Sequence, residues 1–100
     1  MKAILVNDQQ NASMQLIGDL SSMHAIRFRK YLLDFIDNND LDLTIDLNQI
    51  NDIDLGGFNA LILGQRKLEQ KGKTLKLNFG YNLALREFMA LTKIDGFLLN

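Results

Sequence analysis

The sequence predicts a single α/β domain with helices packed on one face of a mixed β-sheet. Three observations carry this. Leu43, Ile45 and Leu47 alternate with Thr44 and Asp46, and Leu75, Leu77 and Phe79 alternate with Thr74, Lys76 and Asn78. A period of two marks a strand with one buried and one wet face. Ala25, Phe28, Leu32, Phe35 and Ile36 share one side of a helix over 22–37. Phe58, Leu61, Ile62 and Leu68 share one side of a second helix, with Gln65 interrupting it. The strand–helix–strand order implies parallel neighbours joined by right-handed crossovers. Strands covered on both faces read as continuous apolar runs. The strict alternation here therefore argues against a doubly wound sheet.

The elements follow in order. Residues 1–7 (MKAILVN) read as a strand, and Asp8-Gln9-Gln10-Asn11 as a polar turn. Met14 and Leu16 alternate with Ser13 and Gln15, which makes residues 1–18 a hairpin with a longer loop. Asp19-Leu20-Ser21-Ser22 leads into the first helix, with Ser21 or Ser22 as its N-cap. Asn38-Asn39-Asp40 ends that helix, and a strand over 41–47 follows. Asn51 to Asp54 reads as a short acidic loop, and the second helix opens on Gly56-Gly57 and runs to Gln70. Gly72 is placed to follow that helix. A strand over 74–79, a short helix carrying Leu85, Phe88 and Met89 that ends near 90–92, a turn at 93–96 and a last short strand over 97–99 complete the chain.

Composition excludes several function classes. A chain of 100 residues makes one domain, 1–100, with a single core. It has no cysteine, hence no disulfide or thiolate site, and its one histidine, His24, cannot build a multi-histidine metal site. A net charge of −1 argues against nucleic-acid binding, which needs a basic footprint. No apolar run reaches the length of a membrane span and no signal peptide is recognisable, so the expectation is a cytoplasmic protein without membrane insertion. Charge is uneven: seven Asp and no Lys or Arg lie between Asp34 and Gln65, followed by Arg66, Lys67, Lys71, Lys73 and Lys76. The acidic part around 52–54 reads as a solvated face, or as one that steers a basic partner.

The stretch from Leu43 to Gln70 carries the candidate site. Gly56-Gly57 permits a tight turn and the close approach of another backbone. The helix N-terminus offers N–H groups to an anion or a partner's carboxylate. Asp52-x-Asp54 is also the opening pattern of haloacid-dehalogenase phosphatases, but the other motifs of that chemistry are missing. An EF-hand fails as well, because Leu63 stands where its last glutamate belongs. No catalytic, cofactor or metal site is expected.

Three segments resemble the STAS family of anti-sigma factor antagonists. Gly18-Asp19-Leu20 before the first helix is similar to that family's Gly-Glu-Leu-Asp segment. Asp46-Leu47 with Ile53-Asp54-Leu55-Gly56-Gly57 resembles its Asp-Leu and Asp-Ser-Ser-Gly pattern. Lys71-Gly72-Lys73 with Leu75 and Leu77 resembles the segment after its second helix. The resemblance implies a protein-binding module without catalysis. It also implies a kinase-fold anti-sigma partner and a Ser or Thr phosphoacceptor before the last glycine of the motif. That position is Gly56 here, which has no hydroxyl and cannot be phosphorylated. Ser21 and Ser22 are the nearest hydroxyls that remain.

The partner-contacting residues expected on this reading are Asp54, Leu55, Gly56, Gly57, Phe58 and Asn59, with Ser21, Ser22 and His24 beside them. For Asp54 helix capping is a second role, compatible with a partner contact. Phe58 reads more readily as core, and Leu55 as either core or contact. Leu55→Asp and Gly57→Arg are expected to weaken binding with the fold unchanged. An alternative partner is the ATPase of a lipid-transport ABC system, on which the same fold serves as an accessory subunit. Self-association through an unpaired sheet edge or the open face would make a homodimer.

Overall fold

The computed structural model describes residues 1–92. The strand expected at 97–99 and the turn before it lie outside the described residues. The elements run β1 (Lys2–Asn7), β2 (Asn11–Leu20), α1 (Ser22–Asn38), β3 (Asp42–Ile53), α2 (Leu55–Gln70), β4 (Leu75–Asn78) and α3 (Leu83–Thr92). The sheet order is β1-β2-β3-β4, with β1 antiparallel to β2 and the β2–β3 and β3–β4 pairs parallel. This is the mixed sheet that the alternation and element order predict.

One face of the sheet makes the core. Met14, Leu16, Leu43, Ile45 and Leu47 are fully buried there, under Phe28, Leu32 and Ile36 of α1 and Phe58, Leu61 and Leu68 of α2. The opposite face carries Ser13, Thr44 and Lys76 in one row and Gln15, Asp46 and Asn78 in the next. These polar side chains keep that face wet. The α1 periodicity holds except that Phe35 is only half-buried, at the rim of the core.

The central strand departs from the sequence reading. β3 continues to Ile53, so Asn51-Asp52-Ile53 is strand and only Asp54 separates it from α2. The reason is two irregularities in the β2–β3 register. Between Gln15 and Ile17, β2 advances by two residues while β3 advances by three, from Asp46 to Gln49. Between Gly18 and Asp19, β2 advances by one and β3 by two, from Ile50 to Asp52. Each extra residue shifts the buried position, so burial changes from every second residue to Leu47, Ile50 and Ile53. A search for period two ends the strand at Leu47.

Side chains hold that bulged segment. Asn82 Nδ2 donates to the carbonyls of Leu47 and Ile50, each at 2.8 Å, while its Oδ1 accepts from Leu85 N–H at 3.1 Å. One asparagine thus caps α3 and satisfies the carbonyls that the bulge releases from the ladder. Phe88 of α3 then packs against Phe58, with ring centroids 6.3 Å apart.

The distal ends of the helices are tied by Lys71. Its Nζ donates to the carbonyls of Ile36 (2.6 Å) and Asn39 (3.1 Å) and pairs with Asp40 at 2.9 Å. A cation at a helix C-terminus also complements the dipole of α1. The next residue, Gly72, has φ 73° and, with Lys73, closes α2 by hydrogen bonds to Glu69 and Leu68 carbonyls. Lys71→Met is expected to destabilise the protein by about 1–2 kcal/mol, because two half-buried carbonyls lose a charged donor. Urea denaturation midpoints check this, and an unchanged midpoint would refute the clamp.

Candidate functional site

The site forms where β2 and β3 end side by side and both feed helices. Asp54 is the single residue between β3 and α2, and its backbone is extended (φ −114°, ψ −178°). Its carboxylate serves two helices at once. Oδ1 accepts from Gly57 N–H at 2.8 Å, the N-cap bond of α2. Oδ2 accepts from Ser22 N–H at 2.9 Å, in the first turn of α1. The Ser22 and Gly57 N–H groups hold the Asp54 carboxyl below its ordinary value of 3.8.

Two expectations are corrected here. Ser21 occupies the N-cap position of α1 but makes no side-chain cap bond. The cap comes instead from Asp54, 32 positions along the chain. Ser22 adopts φ 53°, an uncommon conformation for a non-glycine residue, and donates its N–H to that carboxylate. The helix N-terminus offered to an external anion is likewise met by Asp54 itself. The chain's own carboxylate supplies the negative charge that the dipole favours.

The glycines differ in role. A Cβ on Gly57 would overlap the Leu20 carbonyl oxygen and press on Leu20 Cγ at 2.9 Å. Gly57 is therefore the close-approach glycine, its Cα lying against Leu20 at the end of β2 while its N–H goes to Asp54. A Cβ on Gly56 would meet only Asp54 Oδ1 at 3.3 Å and Ala25 Cβ at 3.9 Å. Position 56 is exposed, and a small side chain fits there once Asp54 Oδ1 yields by a few tenths of an ångström.

The structure separates the expected contact residues. Gly57 and Phe58 are buried and belong to the core, so neither presents a side chain to a partner. Gly57→Arg breaks the packing against Leu20 and does not test binding in an intact fold. Leu55, Gly56 and Asn59 are exposed on α2, and Ser22 and His24 are exposed on α1. His24 Nδ1 lies 3.2 Å from the Met1 amino nitrogen.

Leu55 is 61% exposed, and the start of α1 adds Met23 at 58% and Ile26 at 53%. An open cleft of about 380 Å³ runs between the two helix starts, lined by Met23, Ala25, Ile26, Arg29 and Gly56 with Ser22 and Asp54 at its end. Met23, Ile26 and Arg29 were not among the expected site residues. Their signal in the sequence is two apolar residues three positions apart, off the face defined by Ala25, Phe28 and Leu32. That signal gains meaning only once α2 is known to lie alongside. Among the described residues, no group of three or more His, Cys, Asp or Glu is placed to hold a metal ion, and no helix is long and apolar enough to cross a membrane.

A family model described as Mlab, STAS domain, matches residues 5–100. The chain belongs to the STAS domain family. Three solved STAS structures share its fold. An anti-sigma factor antagonist from Mycobacterium paratuberculosis is 17% identical, with a TM-score of 0.78 over 97% of this chain and 81% of that one. The anti-sigma factor antagonist SpoIIAA in its unphosphorylated form is 14% identical, with a TM-score of 0.70 over 95% and 99% of the two chains. The phosphorylated form of the Bacillus cell fate determinant SpoIIAA is 13% identical, with a TM-score of 0.72 over 97% and 88%. At these identities the likeness is one of fold. No curated protein sequence matches significantly.

The STAS motif residue Asp54 has a definite structural task here. Asp54→Ala is expected to destabilise the domain by about 2 kcal/mol, since two helix caps are lost together. Asp54→Asn keeps one acceptor and should lose about half as much. Because the folded carboxyl lies below 3.8, its contribution is present above that pH and lost as pH falls through the folded value. Asp54→Asn should therefore flatten the acid limb of the urea midpoint against pH below 3.8. A limb as steep as that of the wild type would contradict the assignment. Gly57→Ala should destabilise by about 2–3 kcal/mol through backbone overlap, while Gly56→Ala stays within about 1 kcal/mol. Thermal melts of the pair distinguish the two glycines.

Proposed function

We propose that this STAS domain is a regulatory module that binds a protein on the cleft between the starts of α1 and α2. One observation supports the reading above others. Met23 and Ile26, each more than half exposed, line the cleft, and Leu55, also more than half exposed, stands in the chain between two other lining residues, Asp54 and Gly56, where Asp54 locks both helices. A rigid, partly apolar surface binds with little ordering cost. Such a cluster suits a contact centre better than a solvated rim.

The partner on this reading is a kinase-fold anti-sigma factor or a related partner-switching protein, met in the cytoplasm and bound without catalysis. The solved relatives named as anti-sigma factor antagonists support it. Phosphorylated SpoIIAA has a solved structure, whereas this chain has Gly56 at the motif position where such regulation needs a hydroxyl. Binding here is accordingly not switched by phosphate at position 56. The absent hydroxyl also favours a second reading, an accessory subunit docked on the ATPase of a lipid-transport ABC system. That docking needs no phosphate cycle.

The test is affinity capture from native lysate with the wild-type chain as bait and Leu55→Asp as control, followed by mass spectrometry. Leu55→Asp leaves the core intact and should weaken the specific complex by about tenfold or more. A kinase-fold or sigma-linked protein lost with the control supports the first reading, and an ABC ATPase lost with it supports the second. Equal capture by both baits would remove the cleft as the site. Neighbouring genes separate the readings cheaply: kinase and sigma genes for the first, permease and ATPase genes for the second.

A further inference from the structure

β1 is the edge of the sheet, and β2 is its strand partner among the described residues. Every residue of β1 is exposed except the half-buried Leu5. Edge strands expose a row of unpaired N–H and C=O groups, which proteins commonly blunt with proline, bulges or charge. β1 has no proline, and its register with β2 is unbroken from Lys2 to Asn7. Its one charge, Lys2, sits at its start. Two apolar residues, Ile4 at 38% and Val6 at 67% exposure, point to the open face, in line with Gln15 and Ser13 of β2.

We propose that β1 pairs antiparallel with β1 of a second copy of this chain, about a twofold axis through Leu5, joining two sheets into one. Side-chain chemistry selects this register. A twofold normal to the sheet places some residue opposite its own copy and keeps like faces together. Centred on Leu5, Ile4 lies opposite Val6 of the second copy, Ala3 opposite Asn7, and Lys2 opposite Asp8. The exposed apolar pair then covers itself, and each end of the ribbon gains an ion pair. Asp8 Oδ1 is engaged by the N–H groups of Gln10 and Asn11, which leaves Oδ2 for the ammonium. Centred on Ile4, the register would set Lys2 against Val6. Centred on Val6, it would set Ile4 against Asp8. Both juxtapose charge and hydrocarbon. In the selected register the helices of both copies lie on one side of the joined sheet, and the polar face stays open on the other.

Sedimentation equilibrium of the chain over a concentration series tests this. The expected result is a reversible monomer–dimer equilibrium. Lys2→Asp opposes like charges at both ends of the ribbon and should weaken the dimer by about tenfold. Val6→Lys, at an exposed position, should weaken it in the same direction. Melting curves confirm that both variants fold. A monomer at every concentration overturns the proposal, and so does a dimer that neither variant weakens, since its contact would lie elsewhere.

Discussion

The carboxylate of Asp54 is the constraint on which the functional end of this domain depends. It accepts from Gly57 N–H on α2 and from Ser22 N–H on α1. Two helices that start 33 residues apart in sequence, at Ser22 and Leu55, are thereby given a common origin. The bond to Ser22 fixes how α1 leaves β2. The bond to Gly57 fixes how α2 leaves β3. Both demands need the ionised form, because only a carboxylate accepts at both oxygens. The two N–H groups in turn keep that form favoured. Gly57 completes the arrangement by letting the α2 backbone rest against the Leu20 carbonyl.

That geometry explains why an exposed apolar cluster is tolerated. Met23, Ile26 and Leu55 stand beside a junction where the Ser22 and Gly57 N–H groups are already bound by Asp54. Arg29 lines the same cleft as Met23 and Ile26. Asp54, which looks in sequence like a surface acid, is occupied in holding the scaffold.

Much of the fold was legible in the sequence, because burial is periodic where the structure is regular. The α1 stripe and the first half of β3 show this. Legibility stops where a bulge changes the period. Past Leu47 the buried residues fall three apart, and a strand took on the look of an acidic loop. The site region was legible as a motif, while the structural task of its residues was not. Asp54 and Gly57 stand out by type and spacing, yet they serve folding, and the α1 residues that build the cleft carry no motif.

The sequence by itself determined the α/β class, the order of the elements through α3, most of the buried face of α1 and part of that of α2, and the absence of a hydroxyl at position 56. These follow from side-chain type and local period, which the chain carries at every residue. The tertiary structure alone decided which acid caps which helix, how far β3 runs, and that Met23 and Ile26 line one cleft with Gly56. Each of these joins residues about 30 positions apart, across a β2–β3 register set by bulges. Capping propensity favoured Ser21 locally. A carboxylate arriving from the neighbouring strand is the stronger acceptor, and only the folded sheet brings it there.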